Sequence, residues 1–337
     1  MQKNMLTAAC LGLLMAASAG AQTPAAPVHS ITRVAGNVYR FQSNEHFGVF
    51  MVTPQGVLLV DPINVETATW VKKEIAGRFN NAKVVDVLYS HHDWDHAAGA
   101  DVFTGAKIIS RVETDKELQP PAADAKLTGA NAAADKNNDG LLQLNEVSGA
   151  TAQNFAKIDK DGNGGLSARE LFQAQYDDVV LPTETYDTPV KKITLGGKTV
   201  EMHYLPSKHA NDLSLIYFPA EKVLFVVDVI SLKRVFFRNM SDFDEPDMIA
   251  TLDKAMSFDA AIVVPGHGEI GTKQDVQDIR QYMTDLKSGV QAGITKGETL
   301  QQIQNELTLD KYSKWGGYAD WRTLNIEGMY AYLNKSK

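Results

Sequence analysis

A dense group of metal-binding side chains follows directly after one strongly apolar segment of the sequence. Residues 84–89 read Val-Val-Asp-Val-Leu-Tyr, a pattern typical of a buried strand, and Ser-His-His-Asp-Trp-Asp-His comes next. Imidazole and carboxylate groups at the end of a buried strand are suited to binding a transition metal. Packing alone does not account for so many such side chains together. The chain is therefore predicted to fold around a metal centre at this strand end.

Three further candidate ligands lie at the ends of later apolar segments. His209 stands in a Ser-Lys-His-Ala-Asn-Asp segment, Asp228 directly follows the apolar run 224–227, and His267 lies in a Pro-Gly-His-Gly turn. Their recurrence at strand ends predicts that they converge with the first group on a single site. The candidate metal ligands are His91, Asp93, Asp95, His96, His209, Asp228 and His267.

The remaining pattern predicts a mixed α/β chain. With 44% hydrophobic and 22% charged residues, the chain is able to bury a sizeable core. Strands are expected at 47–53, 57–61, 84–89, 107–110 and 261–264, with hairpins at 190–205 and 213–229. Helices are expected at 66–79, 275–287, 299–307 and 321–333.

At these residues the chain resembles the metallo-β-lactamase superfamily, in the branch typified by glyoxalase II. That family carries a His-x-His-x-Asp-His motif after a strand, then a distant His, a bridging Asp and a final His. Gly56–Pro62 looks like the early strand of the family, and the likeness runs from about residue 34 to residue 270. The resemblance implies an αββα sandwich with two metals at one edge. It also implies a hydrolase in which metal-bound hydroxide attacks an ester, lactone, amide or related bond of a small molecule.

The resemblance also assigns a role to each ligand. His91 and His209 would hold the first metal, with Asp93 at the place of the second motif His. Asp95, His96 and His267 would hold the second metal, and Asp228 would bridge both. Asp95 would also orient the nucleophile, which makes it the candidate catalytic residue. The implied cofactors are two transition-metal ions, zinc first, with iron or manganese as alternatives.

Asp93 is the point at which the sequence departs from the family pattern. A carboxylate is a harder ligand than imidazole and favours iron or manganese, which leaves an iron-dependent redox protein on the same fold as an alternative. His92 competes with Asp93 for the ligand role, but neighbouring side chains of an extended segment point to opposite faces. Asp61 and Asp212 are candidates for hydrogen bonds to ligand imidazoles. His29, His46 and His203 lack ligand spacing and are interpreted as surface or satisfied histidines, with His46 a candidate for the site rim.

Residues 117–178 differ in composition from the rest of the chain and contain two calcium-loop motifs. The segments 135–146 and 159–170 each fit the twelve-residue EF-hand loop, with oxygen ligands at positions 1, 3 and 5, Gly at 6 and Glu at 12. The predicted calcium ligands, which at Leu141 and Gly165 are backbone carbonyls, are Asp135, Asn137, Asp139, Leu141, Glu146, Asp159, Asp161, Asn163, Gly165 and Glu170. Two calcium ions are therefore expected.

Only residues 147–158 separate the two loops, so a compact pair with one shared helix is expected. Leu142 and Leu166 occupy position 8 of the loops, where paired loops form a short β contact. A non-catalytic calcium-binding protein on a degenerate metallo-β-lactamase scaffold is a further alternative.

Residues 1–21 have the pattern of a cleaved secretory signal. Lys3 precedes an apolar stretch that is too short to span a bilayer, and Ala19-Gly20-Ala21 resembles a cleavage site. Cleavage would remove Cys10, the sole cysteine, and deliver a periplasmic or secreted protein. No membrane span is expected. The net charge of −8 argues against nucleic acid as a partner.

The predicted organisation is a flexible leader at 22–33, a metallo-β-lactamase-like domain formed by 34–116 and 179–337, and the calcium-binding insertion at 117–178. Trp315, Tyr318 and Trp321 are candidates for closing the pocket, although aromatic residues at helical spacing more often pack in a core.

Overall fold

A computed structural model describes residues 27–241 and 243–335, and the predicted signal segment lies outside these residues. The strands are β1 (His29–Ala35), β2 (Val38–Ser43), β3 (His46–Thr53), β4 (Gly56–Val60), β5 (Val84–Leu88), β6 (Lys107–Arg111), β7 (Glu184–Tyr186), β8 (Val190–Leu195), β9 (Lys198–Tyr204), β10 (Ser214–Phe218), β11 (Val223–Val227) and β12 (Ile262–Pro265). The helices are α1 (Val65–Arg78), α2 (Trp94–Ala97), α3 (Thr114–Glu117), α4 (Gly129–Ala134), α5 (Gly149–Gln153), α6 (Phe155–Ile158), α7 (Ala168–Gln175), α8 (Glu245–Ser257), α9 (Lys273–Lys296), α10 (Leu300–Glu306) and α11 (Tyr318–Lys335).

The strands form two sheets. The first has seven strands in sequence order from β1 to β7; β1 to β4 pair antiparallel, and β4 to β7 pair parallel. The second has five strands in the order β12-β11-β10-β9-β8, with β11 and β12 parallel. Parallel neighbours end at the same sheet edge, so the residues after β11 and β12 are neighbours in space.

The two sheets pack face to face, and helices cover their outer faces. Met51 and Leu88 of the first sheet and Phe218 and Val227 of the second belong to the same buried cluster between the sheets. The outer face of the first sheet packs on α1, and that of the second packs on α8 and α9. Apolar side chains are therefore buried on both faces of each sheet. Their removal from water is the dominant stabilising term in a layered fold of this kind. The predicted αββα arrangement is confirmed.

Segment 117–178 has a small core of its own. Leu127, Leu142, Ile158 and Leu166 are buried together, and Leu142 and Leu166 form an antiparallel bridge in which each backbone N–H donates to the carbonyl of the other. The predicted β contact between the two loops is therefore present. In place of the single shared helix, α5 and α6 lie between the loops, because the backbone turns at Asn154.

Other departures from expectation have local causes. Residues 29–33, predicted within a flexible leader, belong to β1, which pairs along β2 and stacks His29 on Trp70. Helix α8 was not predicted, although its N-cap Asp244, its proline in the first turn and its buried Leu252 and Ala255 carry a helical signal. None of the described helices is long and apolar enough to cross a membrane.

Candidate metal centre

Strand ends from both sheets meet at one edge of the sandwich and deliver the predicted ligands. His91 follows β5 in the first sheet, and the short helix α2 begins after Asp93 and carries Asp95 and His96. Asp228 follows β11 and His267 lies just beyond β12, while His209 lies in the connection from β9 to β10. The site is therefore assembled from chain segments that are distant in sequence.

Four of the predicted ligands form one tight group. His91 Nε2 lies 3.4 Å from Asp93 Oδ2 and 3.3 Å from His209 Nε2. His209 Nε2 lies 3.4 Å from Asp93 Oδ2 and 3.6 Å from Asp228 Oδ2. Donor atoms of all four residues lie within 4.8 Å of one another, as the donors of a single metal ion must. The group has the composition predicted for the first metal.

A second group shares Asp228 with the first. His96 Nε2 lies 3.0 Å and His267 Nε2 lies 3.4 Å from Asp228 Oδ1. Asp228 thus presents Oδ2 to the first group and Oδ1 to the second. This is the arrangement that a carboxylate bridging two metals requires.

Asp95 stands beside the second group with an unexpected partner. Its Oδ2 atom lies 3.1 Å from His46 Nε2, and these two residues form an overlapping group with His267. His46 was interpreted as lacking ligand spacing, with a place on the rim as the alternative, and the structure brings it to the rim. His46 lies at the rim because the neighbouring Phe47 N donates to Gly266 O at 2.9 Å. This hydrogen bond joins β3 to the turn that contains His267.

Hydrogen bonds on the far ring nitrogens fix the orientation of two imidazoles. His267 Nδ1 lies 2.8 Å from the carbonyl of Glu45, so Nδ1 donates to that carbonyl and Nε2 faces the group. Ser90 donates its backbone N–H and its hydroxyl to Asp61, at 2.8 and 2.6 Å, and its oxygen lies 2.9 Å from His91 Nδ1. His91 Nδ1 is then the donor to Ser90, and His91 Nε2 is the ring nitrogen that faces the group. Asp61 therefore reaches His91 only through Ser90, and its own approach to a ligand imidazole is 3.5 Å, from Oδ2 to His96 Nδ1.

The absence of a side chain at Gly266 allows Asp228 and His96 of the second group to lie close to the backbone beside His267. A Cβ at this position would lie 2.7 Å from Asp228 Oδ1 and 3.0 Å from His96 Cε1. The carbonyl before Asp228 is fixed as well, because Gly266 N donates to Val227 O at 2.6 Å. A glycine is therefore needed next to His267.

The charges of the site shift the proton affinities of its members. Burial alone would raise the pKa of Asp93, but a hydrogen bond and charge from His91, together with His209, lower it to about 2. Burial would lower the pKa of His209 and of His96, yet Asp228 raises the pKa of both. The metal-free site therefore retains protons on imidazoles that a metal would have to displace.

His92 turns away from both groups. His92 Nδ1 lies 2.9 Å from Asp212 Oδ1, while Nε2 faces Asp93 Oδ1 at 3.4 Å. Asp212 also accepts a 2.7 Å hydrogen bond from Thr114 Oγ1. Asp212 therefore orients His92 rather than a predicted ligand imidazole.

Unpaired buried atoms show that the site fits metal ions. Within residues 27–241 and 243–335, His96 Nε2 and Asp228 Oδ1 are buried and lie 3.0 Å apart without the angles of a hydrogen bond, and His96 Nδ1 also has no hydrogen-bond partner. Unpaired buried polar atoms are costly unless they serve another interaction. Imidazole nitrogens and carboxylate oxygens converging from both sides of one carboxylate are a donor set suited to zinc or iron.

The two groups open into a cleft of about 1430 Å³ that is lined by carboxylates, a smaller number of cations and several aromatic side chains. Arg234 and Arg40 contribute positive charge, and Phe237, Trp315 and Trp321 contribute aromatic surface. Arg234 packs its guanidinium on Trp321 at 4.6 Å from the ring centre, and no carboxylate of the described chain forms an ion pair with it. Trp315 and Trp321 thus reach the cleft as suggested, whereas Tyr318 is not part of its lining and its hydroxyl donates to the carbonyl of Thr308.

The two glycine-containing loops repeat one geometry. Glu146 Oε1 accepts from Lys136 N and Glu170 Oε1 from Lys160 N, both at 2.8 Å. The Oδ1 atoms of Asp135 and Asp159, at position 1 of each loop, are buried without a hydrogen-bond partner among the described residues. In the second loop, Asp159, Asp161 and Glu170 lie close enough together to hold one cation. The donors are all oxygens, which suits calcium.

An αββα sandwich with a carboxylate shared by two imidazole groups at its edge defines a class of dinuclear metalloproteins. The family model for the metallo-beta-lactamase superfamily matches residues 46–267, and the chain belongs to this superfamily. That range contains every predicted ligand of the metal centre. Its members typically use a dinuclear metal site, and both curated relatives below are hydrolases.

Two curated relatives were found by sequence. A linear primary-alkylsulfatase from Pseudomonas sp. (strain ATCC 19151) is 23% identical over 266 residues, which cover 74% of this chain and 48% of that protein. A metallo-beta-lactamase type 2 from Bacteroides fragilis is 30% identical over 94 residues, which cover 27% of this chain and 38% of that protein. The chain thus spans less than half of the length of either relative.

Solved structures show the same fold. The stereoselective inverting sec-alkylsulfatase Pisa1 from Pseudomonas sp. superposes with a TM-score of 0.59 at 15% identity, covering 90% of this chain and 50% of that one. A metallo-beta-lactamase from Pontibacter korlensis superposes with a TM-score of 0.50 at 15% identity, covering 75% of this chain and 99% of that one.

Proposed function

We propose that this protein is an exported dinuclear metallohydrolase that cleaves an ester-type bond of a small organic anion and carries a calcium-binding module. The observation that carries the proposal is the position of Asp228. Its two carboxylate oxygens face two separate groups of imidazoles at the floor of one open cleft. A single metal would not need both groups, whereas two metals would.

His91, Asp93, His209 and Asp228 would hold one ion, and His96, His267 and Asp228 the other, with Asp95 beside the second group. When bound, such a pair of ions lowers the pKa of water and withdraws electron density from the bond to be cleaved. The chain supplies the geometry: Ser90 and Glu45 hold the His91 and His267 rings with their Nε2 atoms toward the groups.

Asp95 is the proposed catalytic residue because it lies next to the second group and one of its carboxylate oxygens already has a partner. Its Oδ2 atom is paired with His46, which leaves Oδ1 to orient a reacting group. The charge of His46 and that of His96 help to keep the pKa of Asp95 below its ordinary value despite burial. Asp95 therefore stays ionised at neutral pH and can accept a hydrogen bond from water.

The cleft favours a substrate with an anionic group and an apolar portion. Arg234 lies in the cleft and forms no ion pair within the described chain. Glu45 and Asp228 act on its charge only from a greater distance, so its guanidinium is available to an anion. Phe237, which is 59% exposed, and Trp321 offer apolar surface next to it. One curated relative is a linear primary-alkylsulfatase, which makes alkyl sulfates the first substrates to try.

The test is a panel of alkyl sulfates, lactones, thioesters, β-lactams and phosphodiesters given to zinc-loaded protein. Turnover of one class that rises with alkyl length is expected. Arg234→Gln should raise KM for the anionic substrate by about tenfold, corresponding to about 1.4 kcal/mol for one lost charged contact, with a smaller effect on kcat. Arg40→Gln is the matched control, because the Arg40 guanidinium already packs on Phe47 and donates to Gly268 O. Absence of turnover across the panel, with two metals bound, would refute the proposed hydrolase.

We also propose that residues 1–21 direct export and that loops 135–146 and 159–170 each bind one calcium ion. The support for calcium is the repeated loop geometry and the unpaired position-1 oxygens. The glyoxalase II-like branch suggested by the motif stays a prediction.

Oxygen chemistry at an iron centre is a second candidate function, favoured by one observation. Asp93 joins Asp228 in the first group, which therefore contains two carboxylates and two imidazoles. Elemental analysis of protein purified without added metal separates the candidates: iron together with oxygen consumption favours redox chemistry, and zinc together with ester turnover favours hydrolysis. Calcium alone, with no turnover, would favour the non-catalytic scaffold.

A further inference from the structure

His92 lies where both ends of segment 117–178 meet the metal centre. On the entering side, Thr114 in α3 donates to Asp212 at 2.7 Å, and Asp212 holds His92 Nδ1 at 2.9 Å. On the leaving side, the ring of Tyr176, the C-cap of α7, lies parallel to the His92 ring at 6.3 Å between centres, with an interplanar angle of 19°. Aromatic pairs attract each other at such separations. His92 therefore contacts both connections of this segment.

A rigid element links Tyr176 to the second loop. Glu170, the twelfth residue of that loop, also forms the capping box of α7 with Ser167. Phe172 stacks on Tyr176 at 4.5 Å within the same helix end. Fewer than two helical turns separate Glu170 from Tyr176, about 9 Å at 1.5 Å per residue. A change in the position of Glu170 is therefore transmitted to the Tyr176 ring.

The other ring nitrogen of His92 faces a predicted metal ligand. His92 Nε2 lies 3.4 Å from Asp93 Oδ1, while the other oxygen, Oδ2, faces His91 and His209. His92 thus sets which oxygen of Asp93 points into the first group. Contacts of this kind fix ligand orientation, and their loss typically costs about 10–100-fold in metal affinity.

We infer that Tyr176 and His92 are positioning residues for Asp93, through which calcium in the second loop strengthens metal binding at the first site. The inference rests on the proposed function, because it requires calcium in loop 159–170 and a metal held by His91, Asp93, His209 and Asp228. Calcium fixes Glu170, α7 holds Tyr176 against His92, and His92 keeps Asp93 turned toward the metal. Linkage requires the converse: metal at the first site must strengthen calcium binding by the same factor.

The experiment measures zinc affinity of the full chain with and without calcium, and calcium affinity with and without zinc. Calcium should tighten zinc binding at one of the two sites by about tenfold, and zinc should tighten one calcium site equally. Tyr176→Leu and His92→Ala should each abolish both effects, and Tyr176→Phe, which keeps the ring, should retain them. Glu146→Gln, which removes the first-loop calcium, should also retain them. A cobalt-loaded sample gives a second readout, because calcium should shift the visible spectrum of the first-site ion only in chains with an aromatic ring at 176.

The possible outcomes distinguish a failure of the calcium–metal coupling from a failure of the proposed function. If zinc and calcium both bind but neither affects the other, the coupling is refuted and the proposed function stands. If Tyr176→Leu keeps the full coupling, the route through this ring is wrong; should Tyr176→Leu fail to fold, His92→Ala decides the same point. If calcium does not bind, the calcium module and the coupling fail together.

Discussion

Replacing Asp93 should weaken the first metal site selectively. Asp93→Ala removes one of four donor groups and leaves His91, His209 and Asp228. The carboxyl has a pKa of about 2, so it is fully ionised at neutral pH, and its charge is lost with it. Loss of an outer hydrogen-bonded partner costs about 10–100-fold in metal affinity. A direct donor should cost at least the upper value, about 100-fold or 2.8 kcal/mol.

The assay is metal stoichiometry by elemental analysis, combined with zinc competition against a chelator. Asp93→Ala should retain one zinc per chain and lose activity, whereas Asp93→His, which restores the family pattern, should retain two with a stronger preference for zinc over iron. His92→Ala should keep both metals and cost about tenfold, the lower end of that range, because His92 Nε2 contacts Asp93 Oδ1 at 3.4 Å rather than the metal. If His92→Ala lost a metal while Asp93→Ala kept both, the proposed ligand register would be wrong.

The remaining predictions concern calcium, pH, packing and export. Glu146→Gln combined with Glu170→Gln should abolish both calcium sites, and calorimetry that still finds binding would contradict the loop assignment. Zinc affinity should rise as the pH increases above 6.5, the ordinary pKa of histidine, because the raised pKa of His209 keeps a proton on the ring that must leave before the metal enters; an affinity that does not change with pH would oppose the ligand assignment. Leu166→Ala, at a fully buried position, should cost about 3 kcal/mol, whereas Leu144→Ala, 57% exposed, should leave the melting temperature nearly unchanged. Intact mass of exported protein should place Gln22 at the N-terminus, and retained Cys10 would refute cleavage.

Most of the ligands could be predicted because they follow apolar runs that fold as buried strands; His209 lies instead in the connection after β9, most of whose residues are only partly buried. Asp228 comes directly after β11, all five residues of which are buried, and His267 follows β12 in the same way. Because these strands are parallel neighbours, order along the chain translates into proximity in space. The two calcium-loop motifs, 135–146 and 159–170, could also be predicted, because residue types at fixed positions define them.

Residues that reach the site through non-local pairing could not be predicted. His46 depends on the contact between Phe47 and Gly266, which no local pattern encodes. Arg234 is one of two adjacent cations before a Val-Phe-Phe segment, and only the fold shows that it lines the cleft. The position of Tyr176 against His92 likewise depends on how segment 117–178 returns to the sheet edge. Helix α8, by contrast, has a cap and buried spacing that were available in the sequence.

The most direct test of the dinuclear centre is a crystal structure of the zinc-loaded protein with anomalous scattering measured at the zinc edge. Two peaks should lie about 3.5–4 Å apart, one bounded by His91, Asp93 and His209 and the other by His96 and His267, with Asp228 between them. A single peak, or a second peak away from Asp228, would contradict the account.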